Sequence, residues 1–121
     1  MKILLIDDSK IQIMTQRKIL EDNGINESDI HEAINGKNAL EMIADSNCSY
    51  KLIFVDMNMP EMNGLDFVKK FRIGYETVPV VMISSENEQK KIDKASEAGV
   101  TEYLVKPYMP DDLWAVACRY L

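Results

Sequence analysis

The chain has 121 residues, 46% apolar and 28% charged, with a formal net charge of −6. This composition excludes a disordered or fibrous chain. It predicts one globular domain over residues 1–121, long enough to bury a core without staples. The acidic balance argues against a basic nucleic-acid-binding face, and no apolar run approaches the ~20 residues of a membrane helix.

Two cysteines, Cys48 and Cys118, lack metal-type spacing and predict free thiols in a reducing cytoplasm. Met1-Lys2 leads into four apolar residues and then two aspartates, too short for the apolar core of a signal peptide. A soluble, cytoplasmic protein is the expectation.

The first predicted strand is Ile3–Ile6. Ser9 follows as a helix N-cap, and that helix stops near Gly24. Its apolar pattern gives an i, i+4 row of Ile11, Thr15 and Ile19, from which Ile13 and Met14 fall away. A weak second strand lies near Ile30–Ile34. Asn35-Gly36 reads as a turn, and Ala39, Leu40 and Ile43 mark a helical face. The third strand is Leu52–Val55. A loop over 58–64 leads to a helix with Leu65, Val68 and Phe71 inward. Pro79–Ile83 is the fourth strand, with proline at its first residue where a missing N–H is tolerated. Ser84-Ser85 ends it. Ile92 and Ala95 mark a helix ending at Gly99. Tyr103–Val105 is the fifth strand, and Pro110 or Asp111 opens a last helix that reaches the chain end.

Five strand–helix alternations predict an α/β fold, (βα)5, doubly wound on a parallel sheet. Three of the strands run into charge: Ile6 into Asp7-Asp8, Val55 into Asp56, and Val105 into Lys106-Pro107. Short apolar runs of this type read as fully buried strands. Their carboxyl ends form the rim where open α/β sheets bind ligands.

If the first and third strands are neighbours, Asp8 and Asp56 face each other at ~4.8 Å. Each like-charge pair then costs roughly 4 kcal/mol before screening. Lys106 offsets part of that, and a divalent cation offsets it better. All-oxygen ligands suit Mg2+, which also binds phosphate oxygens. A carboxylate can itself become an aspartyl-phosphate. Singly, Asp7-Asp8 is also a helix N-terminal signal and Asp56 a turn residue. It is their joint occurrence with Lys106-Pro107 at strand ends that points to a site.

These residues, with Asp56-Met57-Asn58-Met59-Pro60-Glu61-Met62-Asn63-Gly64 and Ser84, resemble the receiver domain of two-component response regulators. In length the chain resembles the free-standing, CheY-like members. The resemblance covers essentially the whole chain and implies a flavodoxin-like sheet of strand order 2-1-3-4-5. It also implies roles. Asp56 is the phosphoacceptor. Asp8, Asp56 and the backbone carbonyl of Asn58 hold Mg2+, with Asp7 acting through water. Lys106 pairs with Asp56 and later with the phosphoryl oxygens. The Ser84 hydroxyl bonds the phosphoryl group, and Tyr103 is an aromatic switch. Asn58 and Glu86 tune dephosphorylation, here toward short lifetimes. Lys106-Pro107 is a cis peptide.

Taken without the resemblance, Ser84 reads as a strand-end residue, Tyr103 as core, and His31 as structural. The last helix carries a wide apolar arc of Leu113, Trp114, Val116, Ala117, Tyr120 and Leu121. Packing on the domain edge, truncation of a longer regulator, or a partner surface using Trp114 and Val116 each account for it.

The implied function is a phosphorylation-dependent switch, not an enzyme acting on other molecules. Its donor is a histidine kinase or phosphotransfer protein. Its target binds the face carrying Ser84, Tyr103 and the last helix, and the protein is a monomer or a phosphorylation-dependent dimer. One alternative is a receiver cut from a longer regulator with a separate output domain. An aspartate-nucleophile phosphatase is less favoured, because Asp56-Met57-Asn58 lacks the second acid of Asp-x-Asp. A flavodoxin-like cofactor binder ranks last, because Asp7-Asp8 repels phosphate.

Overall fold

A computed structural model describes residues 2–121. The elements alternate as expected: β1 (Lys2–Ile6), α1 (Lys10–Asp22), β2 (Ile30–Ala33), α2 (Gly36–Asp45), β3 (Tyr50–Asp56), α3 (Gly64–Gly74), β4 (Val80–Ser84), α4 (Gln89–Ala98), β5 (Glu102–Val105) and α5 (Pro110–Cys118). A short 3-10 turn, Glu27–Asp29, precedes β2. The five strands form one parallel sheet in the order β2-β1-β3-β4-β5.

Alternation along the strands splits the core in two. Leu4, Ile6, Ile53, Val55, Val80 and Met82 point to one face, where α2, α3 and α4 supply Ala39, Ile43, Phe67, Val68, Phe71 and Ala95. Ile3, Leu5, Leu52, Phe54, Val81 and Ile83 point to the other, under α1 and α5. The inner strands are buried on both faces, hence their unbroken apolar runs.

Several local expectations change in the folded chain. Ile11 is 76% exposed, while α1 buries Ile13, Gln16, Ile19 and Leu20. The helix turns its i, i+3, i+7 row to the sheet, and a glutamine in that row hides the periodicity. Asn35-Gly36 is no free turn: Asn35 Oδ1 accepts the Asn38 N–H at 2.7 Å and caps α2, whose first residue is Gly36. β2 ends at Ala33, leaving Ile34 exposed. β5 is half-buried along its length, being an edge strand with a neighbour on one side only. It is therefore not the fully buried strand its apolar run suggested.

α5 ends at Cys118, short of the chain end. Leu113, Val116 and Ala117 are buried against the sheet, and Trp114 is partly buried on the same core cluster. Val116 is thus core, which removes it from the partner surface that the wide arc allowed.

Ser9 caps α1 as expected, its hydroxyl accepting the Gln12 N–H at 3.3 Å. Gly99 closes α4 with φ +108, a left-handed cap where a side chain is strained. His31 is structural, its Nδ1 lying 2.9 Å from the Tyr50 hydroxyl. Both cysteines are free thiols. No helix among the described residues is long and apolar enough to cross a membrane.

Candidate functional site

The site lies at the carboxyl ends of β1, β3, β4 and β5. The register aligns Ile6 with Val55, so the next residues, Asp7 and Asp56, meet on adjacent strand ends. Asp7 stays in the sheet frame through its N–H to the Ala33 carbonyl at 3.1 Å. Asp8 lies one residue further out and is exposed. One carboxylate oxygen from each of Asp7, Asp8 and Asp56 falls within 4.8 Å of the others. All three acids, not only the expected pair, therefore converge.

Asp7 and Asp56 are only 3% and 4% exposed. Like charges this close and this dry repel strongly. Burial pushes the Asp7 carboxyl up from 3.8 to about 6. The Ser9 N–H, 2.9 Å from Asp7 Oδ1, opposes that rise. The charge of Asp56 adds to it, Lys106 counters, and Asp8 adds a little more. Asp7 Oδ2 is buried with no hydrogen-bond partner among the described residues. Three converging carboxylates, one of them with an oxygen left without a hydrogen-bond partner, fit a hard divalent cation that keeps some of its water.

Asp56 itself is held at both oxygens. Oδ1 accepts from Lys106 Nζ at 2.5 Å, and Oδ2 accepts the Asn58 N–H at 3.0 Å. Lys106 arrives from β5 because its own N–H bonds the Ser84 carbonyl at 2.8 Å, extending the β4–β5 ladder past the strand end. The Lys106-Pro107 bond is cis.

Ser84 is fully buried at the end of β4, one residue beyond Ile83, the register partner of Asp56. Its Oγ accepts the Glu86 N–H at 3.0 Å, which leaves the Ser84 O–H available to donate. Tyr103 is half-buried rather than core. Its hydroxyl donates to the Glu86 carbonyl at 2.8 Å. Ser84, Glu86 and Tyr103 are therefore one hydrogen-bonded chain. Asn58 is exposed on the loop that follows Asp56, and Glu86 is half-buried.

Gly64 sets the loop between β3 and α3. Its N–H bonds the Met57 carbonyl at 2.9 Å, and a Cβ there would lie 2.5 Å from the Asp56 carbonyl oxygen. A cleft of about 700 Å³ opens beside Asp7 and Asp8, between Met14, Ile34 and Pro60.

Sequence reasoning missed two buried polar side chains. Gln16 is 2% exposed on the core face of α1, and Tyr108 follows Pro107 with its hydroxyl buried. The available signal was a glutamine spaced three and four residues from Ile13 and Leu20, inside the apolar row of α1.

The response regulator receiver domain profile matches residues 3–117. Chemotaxis protein CheY1 of Helicobacter pylori strain J99 is 39% identical over 117 residues, covering 93% of this chain and 90% of its own. A CheY homolog of Campylobacter jejuni strain 81-176 is 38% identical over 117 residues, covering 93% and 86%. The crystal structure of Vibrio cholerae chemotaxis protein CheY4 at pH 4.0 superposes with a TM-score of 0.87 at 31% identity, over 99% of this chain and 98% of that one.

Proposed function

The chain belongs to the response regulator receiver domain family, and from that premise we propose that it is a free-standing, chemotaxis-type switch that takes a phosphoryl group on Asp56. In this reading residues 1–121 are one receiver domain in the cytoplasm. A histidine kinase or phosphotransfer protein donates the phosphoryl group, and a protein target binds the α4–β5–α5 face. The protein acts as a monomer or as a phosphorylation-dependent dimer. The observation that carries the reading is the convergence of Asp7, Asp8 and Asp56 within 4.8 Å, with Lys106 on Asp56.

The donor set fits Mg2+. Asp8, Asp56 and the Asn58 backbone carbonyl would hold it, and Asp7 would act through water. Bound there, the ion supplies charge neutralisation for the transferring phosphoryl oxygens. The remaining work falls to the chain. An Asp56 carboxylate oxygen forms a P–O bond as the donor's P–N bond breaks, and the electron pair leaves with the imidazole nitrogen. Lys106 moves from the carboxylate to a phosphoryl oxygen, and the Ser84 hydroxyl donates to another. Tyr103 follows Ser84 through Glu86. In dephosphorylation, Asn58 and Glu86 orient a water that attacks phosphorus; the bond between phosphorus and the Asp56 oxygen breaks, inorganic phosphate leaves, and Asp56 returns to a carboxylate. The protein thus catalyses only its own phosphorylation and dephosphorylation.

The test is labelling with acetyl phosphate in Mg2+. One acid-labile phosphoryl group per chain is expected, absent in Asp56→Asn and absent in excess EDTA. With Asn58 and Glu86 beside the acceptor, the label should decay well within an hour. Stable labelling for hours, labelling of Asp56→Asn, or multiple turnover on exogenous phosphoesters contradicts the proposal.

A further inference from the structure

α4 buries one residue, Ala95, fewer than any other α-helix of the fold. An alanine carries little apolar area, so packing alone holds this helix weakly. Its two ends differ. At the amino end, Glu88 occupies the cap position and makes no side-chain capping bond. The segment leading to it contains Glu86, which is bonded to Ser84 and Tyr103. At the carboxyl end, Gly99 closes the helix with φ +108, and Arg72 of α3 grips the chain there.

Arg72 Nε donates to the Gly99 carbonyl at 2.9 Å, Nη1 to the Tyr75 carbonyl at 2.9 Å, and Nη2 to Thr101 Oγ1 at 3.3 Å. Thr101 Oγ1 also accepts the Val80 N–H at 3.0 Å, and the Thr101 N–H donates to the Val80 carbonyl at 2.8 Å. One guanidinium thus joins the ends of α3 and α4 to the starts of β4 and β5. The fit is close: a Cβ on Gly99 would lie 2.8 Å from Arg72 Cγ. Hydrogen bonds from a guanidinium are charge-assisted, and its planar fork serves several acceptors at once, which a single ammonium cannot do in the same geometry.

This clasp lies at the amino ends of β4 and β5, the opposite edge of the sheet from Asp56. α4 runs back from the rim, with its start near Ser84 and its end at the clasp. A rigid helix fastened at one end answers a push at the other by tilting. We propose that Arg72 makes the carboxyl end of α4 a pivot, so that the change at Asp56 reaches the partner face as a tilt of α4, largest over residues 86–92 and smallest over 96–101. The inference rests on the Asp56 reading and adds the form of the movement. Arg72 touches no reacting atom and is a positioning residue.

The test is backbone amide NMR of the full chain, with and without Mg2+ and beryllium fluoride, a lasting mimic of a phosphoryl group on a carboxylate. The proteins are the wild type, Arg72→Leu, Arg72→Lys and Thr101→Val, each confirmed folded by thermal unfolding. In the wild type, shift changes are expected to be large over 86–92 and small over 96–101. In Arg72→Leu, which loses every donor of the clasp, changes over 96–101 should rise to match those over 86–92. Arg72→Lys should behave like Arg72→Leu, because one ammonium does not replace the fork. Thr101→Val removes one acceptor and should show the same loss of gradient in smaller degree, which keeps the test decisive if Arg72→Leu does not fold. Hydrogen exchange without the mimic gives a second measure. In Arg72→Leu or Arg72→Lys the amides of Gly99 and Val100 should exchange about tenfold faster, and those of α1 and α2 less than about twofold faster. Equal acceleration in every helix marks general destabilisation and overturns the pivot, as does an unchanged gradient in the folded Arg72 variants. No shift anywhere in the wild type defeats the Asp56 reading itself. A wild-type response that is even along α4 defeats this inference alone.

Discussion

Burial of Asp7 moves its carboxyl from 3.8 to about 6, and the consequence for stability has a definite sign. The folded chain holds this proton more tightly than the unfolded one. Stability from the group is therefore fully present below pH ~4 and is lost as pH rises through about 6, by ~3 kcal/mol at most. This is the reverse of the usual carboxylate, whose folded value is depressed. Urea unfolding in EDTA is expected to show the wild type losing stability between pH 4.5 and 7, relative to Asp7→Asn. Parallel pH profiles for the two proteins would remove the strained acid from the account. Lys106, 2.5 Å from Asp56 Oδ1, pairs with that carboxylate and offsets the rise at Asp7 only in part.

The elements act through how closely their ends approach. The first residue of α3, Gly64, lies so near β3 that an added Cβ would meet the Asp56 carbonyl oxygen at 2.5 Å and Met57 Cα at 3.0 Å. Both are backbone atoms, so neither can swing aside. Gly64→Ala must displace the start of α3 or the end of β3. It is expected to cost about 1–3 kcal/mol and to slow phosphoryl acceptance. Gly74, at the other end of α3, has nothing within 4 Å of such a Cβ, and Gly74→Ala should be neutral or slightly stabilising. Equal effects of the two alanines on stability and labelling would contradict the argument. Gly64 reads in the sequence only as the end of a loop, because its role depends on a contact between segments. The strands and the charged residues after them were legible because a doubly buried strand must be apolar throughout and a charge must wait for the rim. The face of α1 was not, since Gln16 interrupts the very row that marks it. Asn35-Gly36 carries the composition of a turn and of a cap alike, and only the position of α2 decides between them. Tyr103 was ambiguous for a related reason: β5 is an edge strand, so its apolar residues are neither core nor surface.

At the scale of the whole molecule, the question is how charge at one rim reaches the face that a partner would read. The chain already carries a net charge of −6, and a phosphoryl group adds ~1.5–2 more at the point where acids are densest. The nearest cation that can respond is Lys106, and its backbone is part of the β4–β5 ladder through the Ser84 carbonyl. Ser84 in turn holds Glu86, and Glu86 holds Tyr103. β5 is half-buried along its length, so this path runs through an edge strand of the sheet. A ligand shifts such an equilibrium only by its differential contacts with the two states, and the Lys106–phosphoryl pair is the contact that differs. Backbone amide NMR is the direct readout. In the wild type, phosphorylation of Asp56 should shift resonances from the pocket through Ser84 and Tyr103 to α4 and α5. Lys106→Ala should still accept the phosphoryl group, because Asp56 and the two acids beside it remain, but its shifts should be confined to residues around Asp56. If Lys106→Ala shows the same spread to Tyr103 and α5 as the wild type, the lysine is not the coupling element. The signal must then travel through the Ser84 hydroxyl alone, a route that Ser84→Ala would close.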